Sequence, residues 1–232
     1  MPTIKIFQIY YEESQHAHLD EAFVPYDNSK PSRDGEFEMG VLQDSYLAKN
    51  HYTADFTGFV SWKFTQKTGL PGRFFVDFIQ QNPGYEVYFV NPFPAEIRFK
   101  NVWFQGDACH PNVMQFTQGL LNKLNYRVRL TDFINGIETL AYCNYWVASA
   151  SFWERYMGFL QPLYEYIGND LTLEEQKFMA RRADSMIDAH YFPFIFERMF
   201  STYLATATPP AQYLSINKAL FEKGHPMWSH KR

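Results

Sequence analysis

Residues 58–64, GFVSWKF, are the most informative stretch of this 232-residue chain. Apolar and polar side chains alternate along it, which predicts a strand over residues 56–64 with Ser61 and Lys63 on the same face. A lysine between Trp62 and Phe64 is uncommon in a strand that serves only the core. We therefore predict that the Ser61 and Lys63 face runs toward a binding site, with a strand lysine that only extends into solvent as the alternative.

The segments around this strand alternate between strand-like and helix-like patterns. Further strands are predicted over residues 3–11, 85–90 and 139–148. Helices are predicted over residues 39–50, 72–81, 112–124, 151–166 and 194–204. One more is predicted over residues 171–186, which begin with the capping pattern Thr172-x-x-Glu175. Residues 25–35 are predicted to form a polar loop, and roughly the last 25 residues to be irregular or weakly helical. One interpretation of residues 107–111 is a loop that only leads into a helix.

This alternation predicts an α/β fold with a mostly parallel sheet flanked by helices on both faces. We expect one domain over residues 1–232, with roughly the last 60 residues largely helical. Ligands of such sheets bind at the carboxyl ends of the strands. The ends of the predicted strands, at Tyr10 and Tyr11, at Lys63, and at Asn91, are therefore candidate walls of a pocket.

Composition narrows the function classes. The net charge is −4 and the only basic run is the terminal HKR, so an electrostatically driven nucleic-acid binder is not favoured. The two cysteines, Cys109 and Cys143, fit no metal or disulfide spacing, and neither a signal peptide nor a membrane span is apparent. We therefore expect a cytoplasmic protein. The 19% aromatic fraction suits the binding of sugars or bases, and equally suits a well-packed core.

Common catalytic signatures are absent from the sequence. It has no Gly-x-Gly-x-x-Gly, no phosphate-binding loop, no His-Glu-x-x-His, no Gly-x-Ser-x-Gly and no Asp-x-Asp. Two other segments remain, YCNYWVASASFWERY at residues 142–156 and FPFIFERMFSTYL at residues 192–204. In the second, Glu197 and Arg198 stand beside an apolar helical stripe. Glu197 is either an acid that favours the start of its helix or a carboxylate at a pocket.

These segments, in this order, resemble bacterial glycosyltransferases of the GT-A type that build capsule and lipopolysaccharide sugars. One large group of them has a strand Gly-Phe-x-His-Tyr-Arg-Arg-Tyr-Phe, a middle segment Gly-Asn-Met-Phe-Ile-Met and a late segment Gly-Phe-x-x-Glu-Arg-Leu-Phe-x-x-Tyr-Leu. Residues 58–64, 143–148 and 194–204 are similar to these three, and residues 25–28 (PYDN) to a loop near the start. Ser61 departs from the histidine, and Lys63 and Phe64 from the two arginines.

The resemblance implies a glycosyltransferase that moves a sugar from a nucleotide-activated donor to a saccharide or other hydroxyl acceptor in polysaccharide biosynthesis. It implies Glu197 as the base that takes the acceptor proton, with Asp107 in reserve. Six residues are expected at the donor nucleotide: Tyr10, Tyr11, Lys63, Lys67, Arg73 and Asn91. Five are expected at the substrate: Ser61, Trp62, Asn144, Trp146 and Arg198. No metal ligand is predicted, and a Mn²⁺ or Mg²⁺ cofactor stays open because Asp-x-Asp is missing.

Two other functions stay open from the sequence. One is a carbohydrate- or nucleotide-binding module without turnover. The other is a transferase that glycosylates a nucleobase in viral DNA, which the negative net charge disfavours. The nucleotide, the sugar, the acceptor, the stereochemistry and the oligomeric state are not determined by the sequence.

Overall fold

The computed structural model describes residues 1–183 and 189–217. Six strands lie in these ranges: β1 Ile4–Tyr10, β2 Val24–Asp27, β3 Phe56–Ser61, β4 Val87–Asn91, β5 Trp146–Ser149 and β6 Tyr213–Asn217. They form one sheet in the order β2-β1-β3-β5-β4-β6. All neighbours are parallel except β5, which is antiparallel to both β3 and β4. The predicted mostly parallel α/β sheet is confirmed.

The reversed direction of β5 decides where the functional residues meet. Phe59 of β3 pairs with Trp146, the first residue of β5, and Phe56 pairs with Ser149. The chain that leads into β5 therefore reaches the sheet at the edge where β1, β3 and β4 end. Residues 142–145 thus lie beside the carboxyl ends of the parallel strands, where ligands of such sheets collect.

The described residues also contain eight α-helices: α1 Phe37–Leu47, α2 Phe64–Thr68, α3 Gly72–Gln81, α4 Val102–Cys109, α5 Val113–Lys123, α6 Ala150–Asn169, α7 Leu173–Met179 and α8 Tyr191–Thr206. The helices predicted from sequence periodicity are confirmed as α1, α3, α5, α6 and α8. The capping box is also confirmed, because the Thr172 hydroxyl accepts from the backbone N–H of Glu175 while the Glu175 carboxylate accepts from the N–H of Thr172.

The predicted strand over residues 56–64 is too long. β3 ends at Ser61, Lys63 lies in the turn that follows, and α2 begins at Phe64. The alternating pattern suggested a strand as far as Phe64, but this residue is apolar because it packs in the core and not because it lies on a strand. Its ring is fully buried against Phe75 and Tyr145 on the second face of the sheet. Lys63 therefore stands at the strand end and not on the strand face.

Five other boundary predictions are wrong. Of the predicted strand 139–148 only residues 146–148 pair in the sheet, and β5 continues to Ser149. The polar loop over residues 25–35 contains the end of β2. Residues 107–109 belong to α4, whose start is capped by the side chain of Asn101. Part of the tail predicted to be irregular forms β6, which pairs with β4. The helix predicted over residues 171–186 is also too long, because α7 ends at Met179 and Arg182 forms a β-bridge with His190. Residues 184–186 of that prediction and residues 218–232 lie outside the described residues.

Two apolar cores cover the faces of the sheet. The larger contains residues of α1, α4, α5, α6 and α8, and the smaller contains residues of α2 and α3. Trp103, Trp146 and Trp153 are fully buried in the larger core. Packing thus accounts for much of the aromatic content. Within the described ranges, no helix combines the length and the hydropathy that crossing a membrane requires.

Candidate active site

A cavity of about 400 Å³ lies at the carboxyl edge of the sheet. Its walls come from five parts of the chain: the residues after β1, the start of α1, the turn between β3 and α2, the turn before β5, and the first half of α8. The β3 to α2 turn and the β5 lead-in are adjacent because β3 and β5 are paired neighbours. The cavity is therefore a direct product of the strand order.

The structure brings seven of the predicted site residues to this cavity. They are Tyr11, Ser61, Trp62, Lys63, Lys67, Asn144 and Glu197. They come from four separate segments, and the three segments that carried the family resemblance each contribute at least one. If these residues had been far apart in the structure, they could not have formed one site.

Three residues predicted to contact the donor lie outside the cavity. Tyr10 packs its ring against His16 at 5.3 Å between centroids. Arg73 is on the exposed side of α3, where it pairs with Asp77 at 3.0 Å. Asn91 is fully buried at the end of β4, where its Oδ1 accepts from the N–H of Phe93. None of these three residues lines the cavity.

Three further predicted residues have structural roles elsewhere. Trp146 is buried in the core with its ring stacked on Phe200 at 5.5 Å. Arg198 is 2% exposed, and its guanidinium donates to the carbonyl oxygens of Val102 and Phe194 and to Gln105. Asp107 accepts from the N–H of Met114 and so joins α4 to α5. The sequence placed Arg198 next to Glu197, but it could not show that the two side chains point to different sides of α8.

The turn before β5 has an unusual backbone. Cys143 and Asn144 both have positive φ, at 68° and 53°, in the left-handed region that non-glycine residues rarely adopt. Oε1 of Glu197 accepts a hydrogen bond from the N–H of Cys143 at 2.7 Å. The other oxygen of Glu197 has no hydrogen-bond partner among the described residues, and the carboxylate lines the cavity. Strained backbone of this kind is concentrated at functional sites.

Lys67 stands at the centre of the charged groups. Its Nζ lies 3.2 Å from Sγ of Cys143. Burial alone would lower the pKa of Lys67, but Cys143, Glu197 and Glu38 together raise it above its ordinary value. Burial, with help from Glu197, raises the pKa of the Cys143 thiol to about 12. The thiol is therefore neutral at physiological pH.

Glu38 is a cavity residue that the sequence analysis missed. It lies half-buried in the first turn of α1, after Phe37, whose φ is also positive at 50°. Burial raises the pKa of Glu38 and Glu197 raises it further, while the backbone N–H of Glu38 and the two lysines act in the opposite direction. No other described residue donates a hydrogen bond to its carboxylate. An acidic pair, Glu36 and Glu38, at a predicted helix start was the available signal.

The sequence analysis did not single out the other residues of the cavity wall either. Gln15 accepts from the N–H of Tyr11 at 2.8 Å, and Glu36 accepts from the hydroxyl of Tyr164 at 2.5 Å. The wall is completed by Glu12, Phe37, Met39, Ala189, Pro193 and Phe194. The Tyr11 hydroxyl is buried and has no partner within the described part of the chain. An unpaired buried hydroxyl at a cavity is a group that a ligand can satisfy.

The charges at the cavity set what it can bind. Lys63 and Lys67 stand on one side, and Glu38 and Glu197 reach the same space. Among the described residues no three His, Cys, Asp or Glu side chains are placed to hold a metal ion. The lysines are thus the cations that the described cavity presents to an anionic group. Trp62, beside Lys63 and with its ring 5.7 Å from that of His18, adds a flat apolar surface.

Comparison with known proteins bears on the fold. The sequence matches no protein-family model and no curated protein. Among solved structures, the apo structure of WbbM, a bifunctional glycosyltransferase, is similar with a TM-score of 0.58 and 14% sequence identity. The match covers 93% of this chain and 44% of that chain. The fold is one that a glycosyltransferase uses.

This likeness supports the resemblance to glycosyltransferases at the level of the fold. At 14% identity it does not extend to individual motifs or residues. The chain also spans less than half the length of that bifunctional protein. Roles for the cavity residues must therefore be inferred from their contacts and charges in this structure and not from that protein.

Proposed function

We propose that residues 1–232 form one glycosyltransferase domain that moves a sugar from a nucleotide-activated donor to a hydroxyl group of a saccharide. The observation that carries the proposal is the meeting of Lys63, Lys67, Glu38 and Glu197 in one cavity at the carboxyl edge of the sheet. Two cations and two carboxylates are the groups that transfer from a sugar diphosphate requires.

The lysines are assigned to the leaving group. When the bond between the anomeric carbon and the phosphate oxygen breaks, its electron pair passes to the nucleoside phosphate. Preorganised cations at that position stabilise the charge in the transition state more than in the ground state. Lys67 is already held by Cys143, and its raised pKa keeps it protonated. A bound divalent cation, if the enzyme uses one, would supply the same stabilisation.

A carboxylate is assigned to the acceptor. In an inverting transfer, the acceptor oxygen bonds to the anomeric carbon and its proton passes to a base. Glu197 is the first candidate, because one carboxylate oxygen is held by Cys143 while the other is not bonded to any described residue. Glu38 is the second, because its carboxylate faces the cavity with a raised pKa. Tyr11, Ser61, Trp62 and Asn144 are assigned to sugar and base contacts.

The setting of the reaction follows from the same features. The two free cysteines, Cys109 and Cys143, suit a reducing compartment, so we place the enzyme in the cytoplasm. We assign the acceptor to a polysaccharide under construction, as the sequence resemblance implies. Nucleic acid is a poor acceptor here, because the chain carries a net charge of −4 and the cavity has more carboxylates than lysines.

A donor screen tests the proposal. UDP-, GDP-, CMP- and dTDP-sugars are added to the protein, and both the melting temperature and nucleotide release are measured, with and without added Mn²⁺ or Mg²⁺. We expect one nucleotide class to raise the melting temperature and to be slowly hydrolysed. The double variant Lys63→Gln with Lys67→Gln should lose both effects, and Lys5→Gln with Lys49→Gln is the matched control away from the cavity.

The other outcomes decide against the proposal. Absence of both a thermal shift and turnover with every donor would refute a nucleotide-sugar transferase. A thermal shift without turnover in any acceptor mixture, unchanged in Glu197→Gln and Glu38→Gln, would identify a non-catalytic binding module. Transfer to a nucleobase in DNA, and not to a saccharide, would replace the acceptor class.

A further inference from the structure

A second and larger groove lies away from the candidate active site. Its volume is about 1130 Å³, and its walls are α5, the segment that follows it, and Thr206 at the end of α8. It shares no residue with the cavity at Lys67. Thr206 is nine residues after Glu197 on α8, which separates them by about 13 Å along the helix axis.

Two arginines of this groove lack ionic partners. Arg127 and Arg129 are exposed on either side of the half-buried Val128, so both face away from the core. Neither pairs with a carboxylate among the described residues. Four other arginines do so: Arg33, Arg73, Arg98 and Arg155. The guanidinium groups of the groove are therefore available to an external anion.

Buried side chains hold the segment that carries these arginines. Asn101 is fully buried and donates to the carbonyl oxygens of Leu130 and Phe133 at 2.8 and 2.9 Å. Gln118 accepts from the N–H of Leu130 at 2.7 Å and donates to the carbonyl of Val128 at 3.0 Å. The backbone is thus ordered before a ligand arrives, which lowers the entropic cost of binding.

Gly119 forms part of the groove wall on α5. A Cβ atom built at this position meets no other atom within 4 Å, so the glycine leaves open space in the groove. Glycine in a helix interior costs about 1 kcal/mol relative to alanine. Packing does not require a glycine here, since a side chain would fit. The absence of a side chain at Gly119 therefore widens the groove beside the arginines.

The remaining lining groups indicate the ligand. Tyr126 and Phe133 present half-buried rings, and Gln115 and Asn122 present amide groups. Asp132 is the one carboxylate of the lining, so the formal charge of the groove is +1. Rings and amides suit hydroxylated sugars, and the two arginines suit carboxylate or phosphate groups carried by such a chain. A densely charged polymer such as nucleic acid would require a stronger basic surface.

We propose that this groove binds an anionic oligosaccharide. Arg127 and Arg129 contact its carboxylate or phosphate groups, and the ring and amide groups contact its sugars. The assignment rests on the proposed function, in which the ligand is the acceptor or product chain held at a distance from the reacting end.

Binding of defined oligosaccharides to the full chain tests this proposal. Oligogalacturonate is the anionic probe and a malto-oligosaccharide of equal length is the neutral one, with affinities measured by calorimetry at two salt concentrations. We expect oligogalacturonate to bind and the neutral chain to bind at least about tenfold more weakly. Arg127→Gln with Arg129→Gln should weaken binding by about tenfold or more. Arg73→Gln with Arg98→Gln changes the net charge equally and should leave it unchanged.

A steric variant separates the groove from general charge effects. Gly119→Phe fills the open space without changing charge, and should abolish binding while circular dichroism and melting temperature stay close to wild type. Undetectable binding of oligogalacturonate, equal affinity in the Arg127 and Arg129 double variant, or tighter binding of single-stranded DNA would each overturn the proposal. Donor hydrolysis should persist in all groove variants. Absence of oligogalacturonate binding by the wild-type protein, with its donor hydrolysis intact, refutes this inference alone, whereas groove binding by a wild-type protein that hydrolyses no donor refutes only the proposed function.

Discussion

The carboxylate of Glu197 on α8 accepts a hydrogen bond from the backbone N–H of Cys143, 2.7 Å away and 54 residues earlier in the chain. This bond joins the helix to the left-handed turn that leads into β5. Because β5 runs antiparallel to its neighbours, that turn lies at the same sheet edge as the end of β3. Glu197 therefore does two things at once: it supports a strained turn and presents its second oxygen to the cavity.

Replacing Glu197 separates these two roles. Glu197→Gln keeps an oxygen that can accept from Cys143 but removes the basic carboxylate, so kcat should fall by about 100-fold or more while the melting temperature changes little. Glu197→Ala also removes the acceptor and should lower the free energy of unfolding by about 1–2 kcal/mol. Steady-state kinetics and thermal denaturation measure both. Full activity in Glu197→Gln would assign the proton to another group, with Glu38 next in line.

Glu38 should produce a pH dependence with a defined sign. Its pKa is raised in the folded protein, so this carboxylate is fully ionised only at a pH above its ordinary range. If Glu38 accepts a proton in the reaction, the rate should rise with pH through the raised pKa, and this limb should disappear in Glu38→Gln. Glu165→Gln, on the exposed side of α6, is the control. An identical pH profile in Glu38→Gln would exclude a role in proton transfer.

The same group affects stability. An acid whose pKa is raised on folding binds more protons in the folded state than in the unfolded state, so its contribution to stability is present at low pH and is lost as pH rises through the folded pKa. Glu38→Gln should therefore gain stability relative to wild type as the pH is raised from about 4.5, its ordinary pKa, through the raised value. Urea denaturation across this range measures the difference, and a constant difference at every pH would contradict the assignment.

Glu154 should give the opposite pH behaviour at a separate place. Its carboxylate accepts from the hydroxyls of Tyr46 and Tyr52 and lies 2.9 Å from Nε2 of His51. Hydrogen bonds from Tyr46, His51 and Tyr52 lower its pKa to about 2. The stability it contributes is present above the ordinary pKa and is lost as pH falls from about 4.5 toward 2. Glu154→Gln should lose much of this acid sensitivity in denaturation experiments, and an unchanged acid limb would show that other carboxylates dominate it.

Gly58 should tolerate no side chain. A Cβ atom there would clash with the carbonyl oxygen of Trp146 and would lie 2.7 Å from Cα of Val147, so it would separate β3 from β5. Gly58→Ala should destabilise the protein by about 3 kcal/mol or more and should impair the cavity at the end of β3. Gly168→Ala in α6 is the control, because a Cβ there meets nothing within 4 Å. Equal melting temperatures of the two variants would show that β5 can shift to make room.

Periodicity alone predicted the elements with long, regular apolar patterns. Residues 72–81 were predicted as a helix with the bounds that α3 has in the structure, and the strand at residues 3–11 corresponds to β1. Short elements were less accessible. The strand β5 has only four residues, and the seven residues of similar composition before it form turns and irregular backbone. Pairing with β3 and β4 selects residues 146–149, and a pairing partner cannot be identified from local sequence.

The residues of the candidate site also divide into those that local sequence could predict and those that it could not. Lys63 and Glu197 could be singled out because a charged side chain interrupts an apolar pattern at each position. Glu38 could not, because an acid in the first turn of a helix is common on the surface as well. Trp146 and Arg198 were assigned to substrate from neighbouring letters, but one packs in the core and the other bonds to backbone carbonyls. Neighbours in sequence face different sides of a strand or helix, so adjacency to a site residue is a weak guide.

The sequence by itself determined the α/β class and the charged residues that stand out from apolar segments, because both follow from local periodicity and composition. Residues 58–64 predicted a lysine near the end of a strand, but they did not predict that the strand stops at Ser61. Only the tertiary structure decided that Lys63, Lys67, Glu38 and Glu197 surround one cavity. Their meeting depends on the strand order and on the reversed direction of β5, and these are set by packing between segments far apart in the chain.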